Sequence, residues 1–237
     1  MPEPYRTDYL NIHNNRYKIL KNQNKTGWDG DETRKVLQDT LGIIERAVQR
    51  YGVKIPSRLL ELGCGNGCLT IELSRKGFEC RGIDIAPSAI EWAGETALKE
   101  KQNIDYRVGN VLNLPFPDDF FDIIIDGHCF HCIIDEDRKI FLSEACRVLK
   151  DSGIFIIMTM CGEPSKSILE RFEYRNGNLI AGGIAGRHIG MPESILEEIR
   201  LSGLHIIEWY IIKGPQDMLA VIAKRQRHAL LPRKKEQ

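Results

Sequence analysis

Three short segments carry side chains whose type and spacing can do chemistry. The first is Leu59-Leu60-Glu61-Leu62-Gly63-Cys64-Gly65-Asn66-Gly67, an apolar run that ends in three alternating glycines. Small residues at a strand-to-helix turn let the backbone approach a ligand closely. The spacing is neither the Gly-x-Gly-x-x-Gly of nicotinamide binders nor the Gly-Lys-Ser/Thr ending of a phosphate loop. Glu61, two residues before the first glycine, repels a pyrophosphate and attracts an ammonium group, so a cationic ligand end is expected here. The second segment, Cys80-Arg81-Gly82-Ile83-Asp84, ends in an acid about 20 residues further on, where a carboxylate accepts both hydroxyls of a ribose. Ile85 beside it can pack on a base, and Gly109-Asn110-Val111 can offer a side-chain amide and a backbone N–H to the base edge. Taken singly, Asp84 reads equally well as a helix cap and Asn110 as a turn residue. Their ordered recurrence at successive strand ends implies a nucleoside.

The third segment is Asp126-Gly127-His128-Cys129-Phe130-His131-Cys132. His128 can take a proton from an acidic group, since an unperturbed imidazole titrates near pH 6.5, or it can be a hydrogen-bonded wall residue. Thiols and imidazoles are also zinc ligands. One Cys-x-x-Cys without a second pair suits buried structural thiols better, so no metal is expected. The spacing of Cys129, Cys132 and Cys161 likewise does not support a soft acceptor such as arsenic(III).

These residues must be held by elements, and the pattern supplies them. Candidate strands are Arg58 to Leu62, Glu79 to Asp84, Ile104 to Gly109, Phe121 to Asp126, Ile154 to Met160, Leu204 to Lys213 and Asp217 to Lys224. Between them, helical spacing marks Cys68 to Lys76, Ser88 to Lys101, Glu136 to Leu149 and Pro192 to Ser202. Alternation of strand and helix implies parallel crossovers, and nearly all-apolar strands suit a sheet covered on both faces. Gly214-Pro215-Gln216 is too short for a crossover, so the last two strands form an antiparallel hairpin. A further helix runs from Asp31 to Tyr51, preceded by a partly helical, aromatic N-terminal arm. Residues 161–191 are polar and glycine-rich and read as an inserted cap, whose Arg175 and Arg187 can pair with a substrate carboxylate or phosphate. The expected division is an arm and helix over 1–52, a ligand-binding domain over 53–226 and a basic tail over 227–237.

Composition bounds the function. The 237 residues are 42% hydrophobic and 28% charged, and 33 basic residues balance 33 acidic ones. No net field draws the chain to nucleic acid or an anionic membrane. No apolar run approaches the roughly 20 residues of a membrane span. The first residues show no basic-then-apolar export pattern, and the seven cysteines are an odd number in a chain large enough to bury a core. A cytosolic chain with reduced thiols is expected.

Over roughly residues 55 to 225 the sequence resembles the class I S-adenosylmethionine-dependent methyltransferases. Glu61 to Gly67 is similar to their first motif and Gly82-Ile83-Asp84 to their ribose-binding acid. Gly109-Asn110-Val111 with Leu114-Pro115-Phe116-Pro117-Asp118 resembles their adenine segment, Phe121 to Ile125 their fourth strand, and Arg147 to Gly153 the turn before the fifth. The resemblance implies a doubly wound, mostly parallel, seven-stranded Rossmann-like α/β sheet with S-adenosylmethionine as cofactor. It assigns Glu61, Gly63, Cys64 and Gly65 to the methionine part, Asp84 and Ile85 to the ribose and its surroundings, and Asn110 and Val111 to the adenine. Many relatives carry aspartate at the position of Asn110; an amide oxygen still accepts from the adenine amino group. Asp126, Gly127 and His128 lie where this fold places the methyl group and its acceptor, which makes His128 the candidate catalytic base. Phe130-His131-Cys132-Ile133 is similar to a Leu-His-His-Ile segment of relatives, which implies that His131 packs structurally. Tyr9, Tyr17 or Trp28 can face the sulfonium by cation–π attraction, with lid packing as the other reading. Thr26-Gly27-Trp28-Asp29 resembles the arm of small-molecule members, including those acting on thiols and tellurite. The expected protein is therefore a monomeric or homodimeric methyltransferase of a small molecule. A non-catalytic cofactor-binding regulator and an enzyme of internal cyclisation are its rivals. The Asn/Asp-Pro-Pro-Tyr segment of nucleic-acid methylases is lacking after strand four.

Overall fold

In the computed structural model, residues 4–225 are described. The expected basic tail, 227–237, lies outside the described residues. The strands in chain order are β1 (Arg58–Leu62), β2 (Glu79–Asp84), β3 (Asp105–Val108), β4 (Phe121–Asp126), β5 (Leu149–Met160), β6 (Glu173–Arg175), β7 (Asn178–Ala181), β8 (Ile184–His188), β9 (Leu204–Ile212) and β10 (Met218–Arg225). The helices are α1 (Tyr9–Asn22), α2 (Thr33–Arg50), α3 (Cys68–Arg75), α4 (Pro87–Lys99), α5 (Asp137–Val148), the short α6 (Lys166–Leu169) and α7 (Pro192–Leu201). One seven-stranded sheet has the order β3-β2-β1-β4-β5-β10-β9. The first five of these are parallel neighbours, whereas β10 runs antiparallel to both β5 and β9. The crossover direction reverses between β1 and β4, which opens a crevice beyond their carboxyl ends.

The all-apolar strands are explained by the two cores they serve. Successive side chains of a strand point to opposite faces. Leu60, Ile124, Phe155 and Ile157 pack with Phe141 and Leu142 of α5 and Ile195 and Ile199 of α7 on one face. Leu59, Ile123, Ile125 and Ile156 pack with Ile43, Ile44 and Ala47 of α2 and Leu69 and Leu73 of α3 on the other. Burial of each such side chain contributes roughly 1.5–3 kcal/mol relative to exposure. Helix α2 is thus part of the sheet's core as well as a neighbour of the site.

Strand β5 starts at Leu149 rather than Ile154, because Leu149 already pairs with Phe121 across a register shift. The cap consists of α6 and a three-stranded antiparallel sheet in the order β6-β7-β8. The arm is tied to it: Arg6 N–H donates to Gly183 O at 3.1 Å, and Ala185 N–H donates to Arg6 O at 2.9 Å. Tyr5 and Tyr9 hydroxyls reach Asp135 at 2.7 Å and Asp137 at 2.9 Å, just after strand β4 and its 3-10 turn, Phe130–Cys132. No helix among the described residues is long and apolar enough to cross a membrane.

Candidate active site

The glycine turn is dictated by what crowds it. Gly63 has φ +70° and Gly65 φ +54°, the left-handed region that favours glycine. A Cβ on Gly63 would lie 2.6 Å from Cys129 Cβ, and one on Gly65 would lie 2.2 Å from the Tyr17 hydroxyl. The turn therefore leaves room only for backbone, and Tyr17 of α1 closes over it.

A cavity of about 470 Å³ opens at the carboxyl ends of β1, β2 and β4. Its lining includes eight of the residues marked by the sequence: Trp28, Gly63, Asp84, Ile85, Asn110, Val111, Gly127 and His128. Glu61, Cys64, Gly65, Asp126 and Tyr17 lie behind this wall. The Cys64 thiol is buried under Gly82, where an added Cβ would lie 2.7 Å from the sulfur. Arg187 reaches the cavity, but Arg175 does not; it lies beside the Tyr5 ring and 3.4 Å from Glu173.

Each acid has its own environment. Asp84 is buried and accepts from the Gly65 N–H and the Ala86 N–H, both at 2.9 Å. Burial pushes its carboxyl up to about 6 against the pull of those donors. Burial likewise pushes Glu61 up to about 8. Its Oε2 is buried without a hydrogen-bond partner among the described residues. Asp126 is occupied by the backbone, accepting from Cys129 N–H at 2.7 Å, Phe130 N–H at 2.9 Å and Met158 N–H at 3.3 Å. It shapes the loop after β4 and ties β4 to β5. Asn110 lines the cavity, and its Oδ1, expected to accept from the adenine amino group, already accepts from Leu112 N–H at 2.9 Å.

His128 has φ +61°, unusual for a residue with a Cβ, and its Nε2 is hydrogen-bonded to Thr40 Oγ1 at 3.2 Å. Burial lowers its pKa, and the Asp29 carboxylate partly opposes that. Trp28 is stacked on His13 at 5.4 Å and faced by Arg187 at 5.4 Å and Arg16 at 5.9 Å. His131 also lines the cavity, where packing alone was expected for it. Cys129 and Cys132 line it as free thiols. Among the described residues no group of three or more His, Cys, Asp or Glu is placed to hold a metal ion.

Several lining residues were not singled out from sequence. Thr40, Val36 and Ile43 come from α2, and Met158, Met160, Ile212 and Met218 from the end of β5 and the β9–β10 hairpin. Thr40 had one available signal: with Thr33 it is a polar residue among the buried positions of α2, beside Ile43, Ile44 and Ala47. The antiparallel sense of β10 puts its first residue beside the last of β5, Met218 opposite Met160.

The donor set fits an adenosyl sulfonium amino acid. Unpartnered Glu61 Oε2 matches an ammonium donor, Asp84 keeps acceptor capacity for hydroxyls, and Ile85 and Val111 provide an apolar slot for a base. Comparisons with known proteins agree. Residues 60–157 match the family described as a methyltransferase domain. Human EEF1A lysine methyltransferase 2 is 30% identical over 171 residues, covering 68% of this chain and 69% of that protein. Ajmaline N-methyltransferase of Rauvolfia serpentina is 29% identical over 164 residues, 66% of this chain and 56% of that protein. The structure of Burkholderia thailandensis 1,6-didemethyltoxoflavin-N1-methyltransferase with bound 1,6-didemethyltoxoflavin and S-adenosylhomocysteine covers 96% of this chain and 94% of that one at TM-score 0.68 and 14% identity. The chain belongs to the class I S-adenosylmethionine-dependent methyltransferases, and S-adenosylmethionine is its cofactor.

Proposed function

We propose that this protein transfers the methyl group of S-adenosylmethionine to a small-molecule acceptor held under the arm and cap. The observation that carries this reading is the convergence of Gly63, Asp84, Asn110 and His128 on one mostly apolar cavity. Bound S-adenosylmethionine supplies an electrophilic sulfonium methyl group, so the chain's own task is alignment and exclusion of water. Glu61 holds the ammonium end, Asp84 the ribose hydroxyls, and Ile85, Val111 and the Asn110 amide the base. We assign His128 the tautomer in which Nε2–H donates to Thr40 Oγ1, which leaves a lone pair on Nδ1 to take the proton that the acceptor loses. A lowered pKa keeps the imidazole neutral near pH 7, the form a base requires.

Calorimetry with S-adenosylhomocysteine tests the cofactor half. Asp84→Ala removes a charged acceptor and is expected to weaken binding by about 100-fold, in line with 1.5–3 kcal/mol per charged hydrogen bond. Unchanged affinity would refute the ribose contact. The acceptor half is tested with methyl-labelled cofactor and metabolite extracts: S-adenosylhomocysteine formed with label in the small-molecule fraction supports the reading. Methylthioadenosine points to cyclisation, and intact cofactor to a binding protein. The human relative is named as a protein lysine methyltransferase, so label in acid-precipitable protein would move the acceptor to a polypeptide. The arm and cap over the cavity favour the small molecule.

A further inference from the structure

Arg187 on β8 is the only arginine or lysine among the described residues that line the cavity. Its guanidinium faces the Trp28 ring at 5.4 Å and donates to the cap's own Gly186 O at 2.6 Å. No described acid lies close enough to form an ion pair with it. Its field is felt by His13, His131, Cys129 and Cys132 and, among charged groups, by the Asp29 carboxylate. Of the three acids that line this cavity, Asp84 is held by the Gly65 and Ala86 N–H groups, and Asp29 and Asp39 are exposed to solvent. Asp29 is also shared with Arg16, the second guanidinium over Trp28, so positive charge is left over on the cap side. A second observation concerns His131. Its side chain lines the cavity, the residue is only 8% exposed, and Nδ1 is buried without a hydrogen-bond partner among the described residues. Burial and the surrounding cations hold it neutral. Buried polar groups are usually paired with protein, ordered water or a ligand, so an unpaired ring nitrogen on a cavity wall is open to a bound group.

We infer that Arg187 and His131 form a carboxylate-holding corner of the acceptor pocket, so that the methyl acceptor is a small organic anion with an apolar body. The guanidinium supplies paired donors and charge, and the imidazole one further hydrogen bond. Met158, Met160 and Met218 across the cavity provide a pliable apolar wall for the rest of the acceptor. This inference rests on the methyltransferase reading, and the same carboxylate chemistry could come from the amino-acid end of the cofactor, so the test separates the two sources.

The probes are benzoate, phenylacetate and hexanoate, each beside its carboxamide, added to the protein saturated with S-adenosylhomocysteine and followed by saturation-transfer NMR and calorimetry. At least one carboxylate is expected to bind at least tenfold more tightly than its amide. Arg187→Met should abolish that preference, and His131→Phe should reduce it, with S-adenosylhomocysteine affinity unchanged in both. Carboxylates binding no better than amides would overturn the inference. A tenfold loss of S-adenosylhomocysteine affinity in Arg187→Met would overturn it too, by assigning the corner to the cofactor. Failure of the unaltered protein to bind S-adenosylhomocysteine would instead remove the methyltransferase reading and the inference with it. Circular dichroism and melting of both variants identify any loss due to misfolding, and Arg187→Lys, which keeps charge but not the fork, should restore part of the preference.

Discussion

Glu61, Asp84 and Asp126 are three buried carboxyls clustered under one glycine turn, and their protonation links cofactor binding to pH. Burial raises them to about 8, about 6 and about 7. An acid with a raised folded pKa binds more protons in the folded state than in the unfolded one, so stability is highest at low pH and falls as pH rises through the folded value. Without cofactor, the melting temperature should therefore decline from about pH 4 to about pH 8, and Glu61→Gln should flatten the upper part of that decline. Binding of the ammonium group favours ionised Glu61. Calorimetry of S-adenosylhomocysteine at pH 7, in buffers of differing ionisation enthalpy, should report proton release that Glu61→Gln removes. A binding enthalpy independent of buffer would argue against the pairing. At the neighbouring His128, the proposed Nε2–H tautomer predicts that Thr40→Val gives a mixture of tautomers in the ring nitrogen shifts, while Thr40→Ser keeps one; the same shifts showing Nδ1–H in the unaltered protein would reject it.

At the scale of elements, the arm, cap and post-β4 loop are joined by one buried amide. Asn178 on β7 is fully buried; its Nδ2 donates to Tyr5 Oη at 2.8 Å and to Asp135 Oδ1 at 2.7 Å, and its Oδ1 accepts from His188 Nδ1 at 2.8 Å. Asn178→Leu keeps the volume but removes all three hydrogen bonds; Tyr5 Oη still donates to Asp135, whereas His188 Nδ1 loses its partner Asn178, at a cost of about 1–3 kcal/mol. We expect faster proteolysis of residues before α2 in that variant and weaker cofactor binding, because Tyr17 and Trp28 lose their anchoring. Arg138 on α5 has a comparable role beneath the site. It is 2% exposed, donates to Phe130 O at 3.0 Å and Ile133 O at 3.3 Å, and is paired with Glu198 at 2.8 Å. It thereby fixes the 3-10 turn that presents His131 and Cys132. The sequence showed the cap only as polar, glycine-rich text, since strands of three to five residues carry too little periodicity to be distinguished from loop.

For the whole molecule, the sheet with its two apolar faces is a rigid floor on which loops can vary. Phe141 is buried between α5 and the sheet, near Phe130 and Phe155. Phe141→Ala should cost about 3–5 kcal/mol and lower the melting temperature by roughly 10 °C. A drop of only one or two degrees would show a core more able to collapse than its packing implies. Strand-and-helix alternation, the final hairpin, the glycine turn and Asp84 were all legible in the amino-acid order, because short-range periodicity and backbone steric demands are local properties. The order of residues also marked His128, Trp28 and Arg187. Only the tertiary structure brought Thr40, His13, Met158 and Met218 to the same cavity, withdrew Asp126 into backbone contacts and placed His131 on the wall. Those outcomes depend on which way β10 runs beside β5 and on where α2 crosses the sheet, long-range pairings that no window of neighbouring residues encodes.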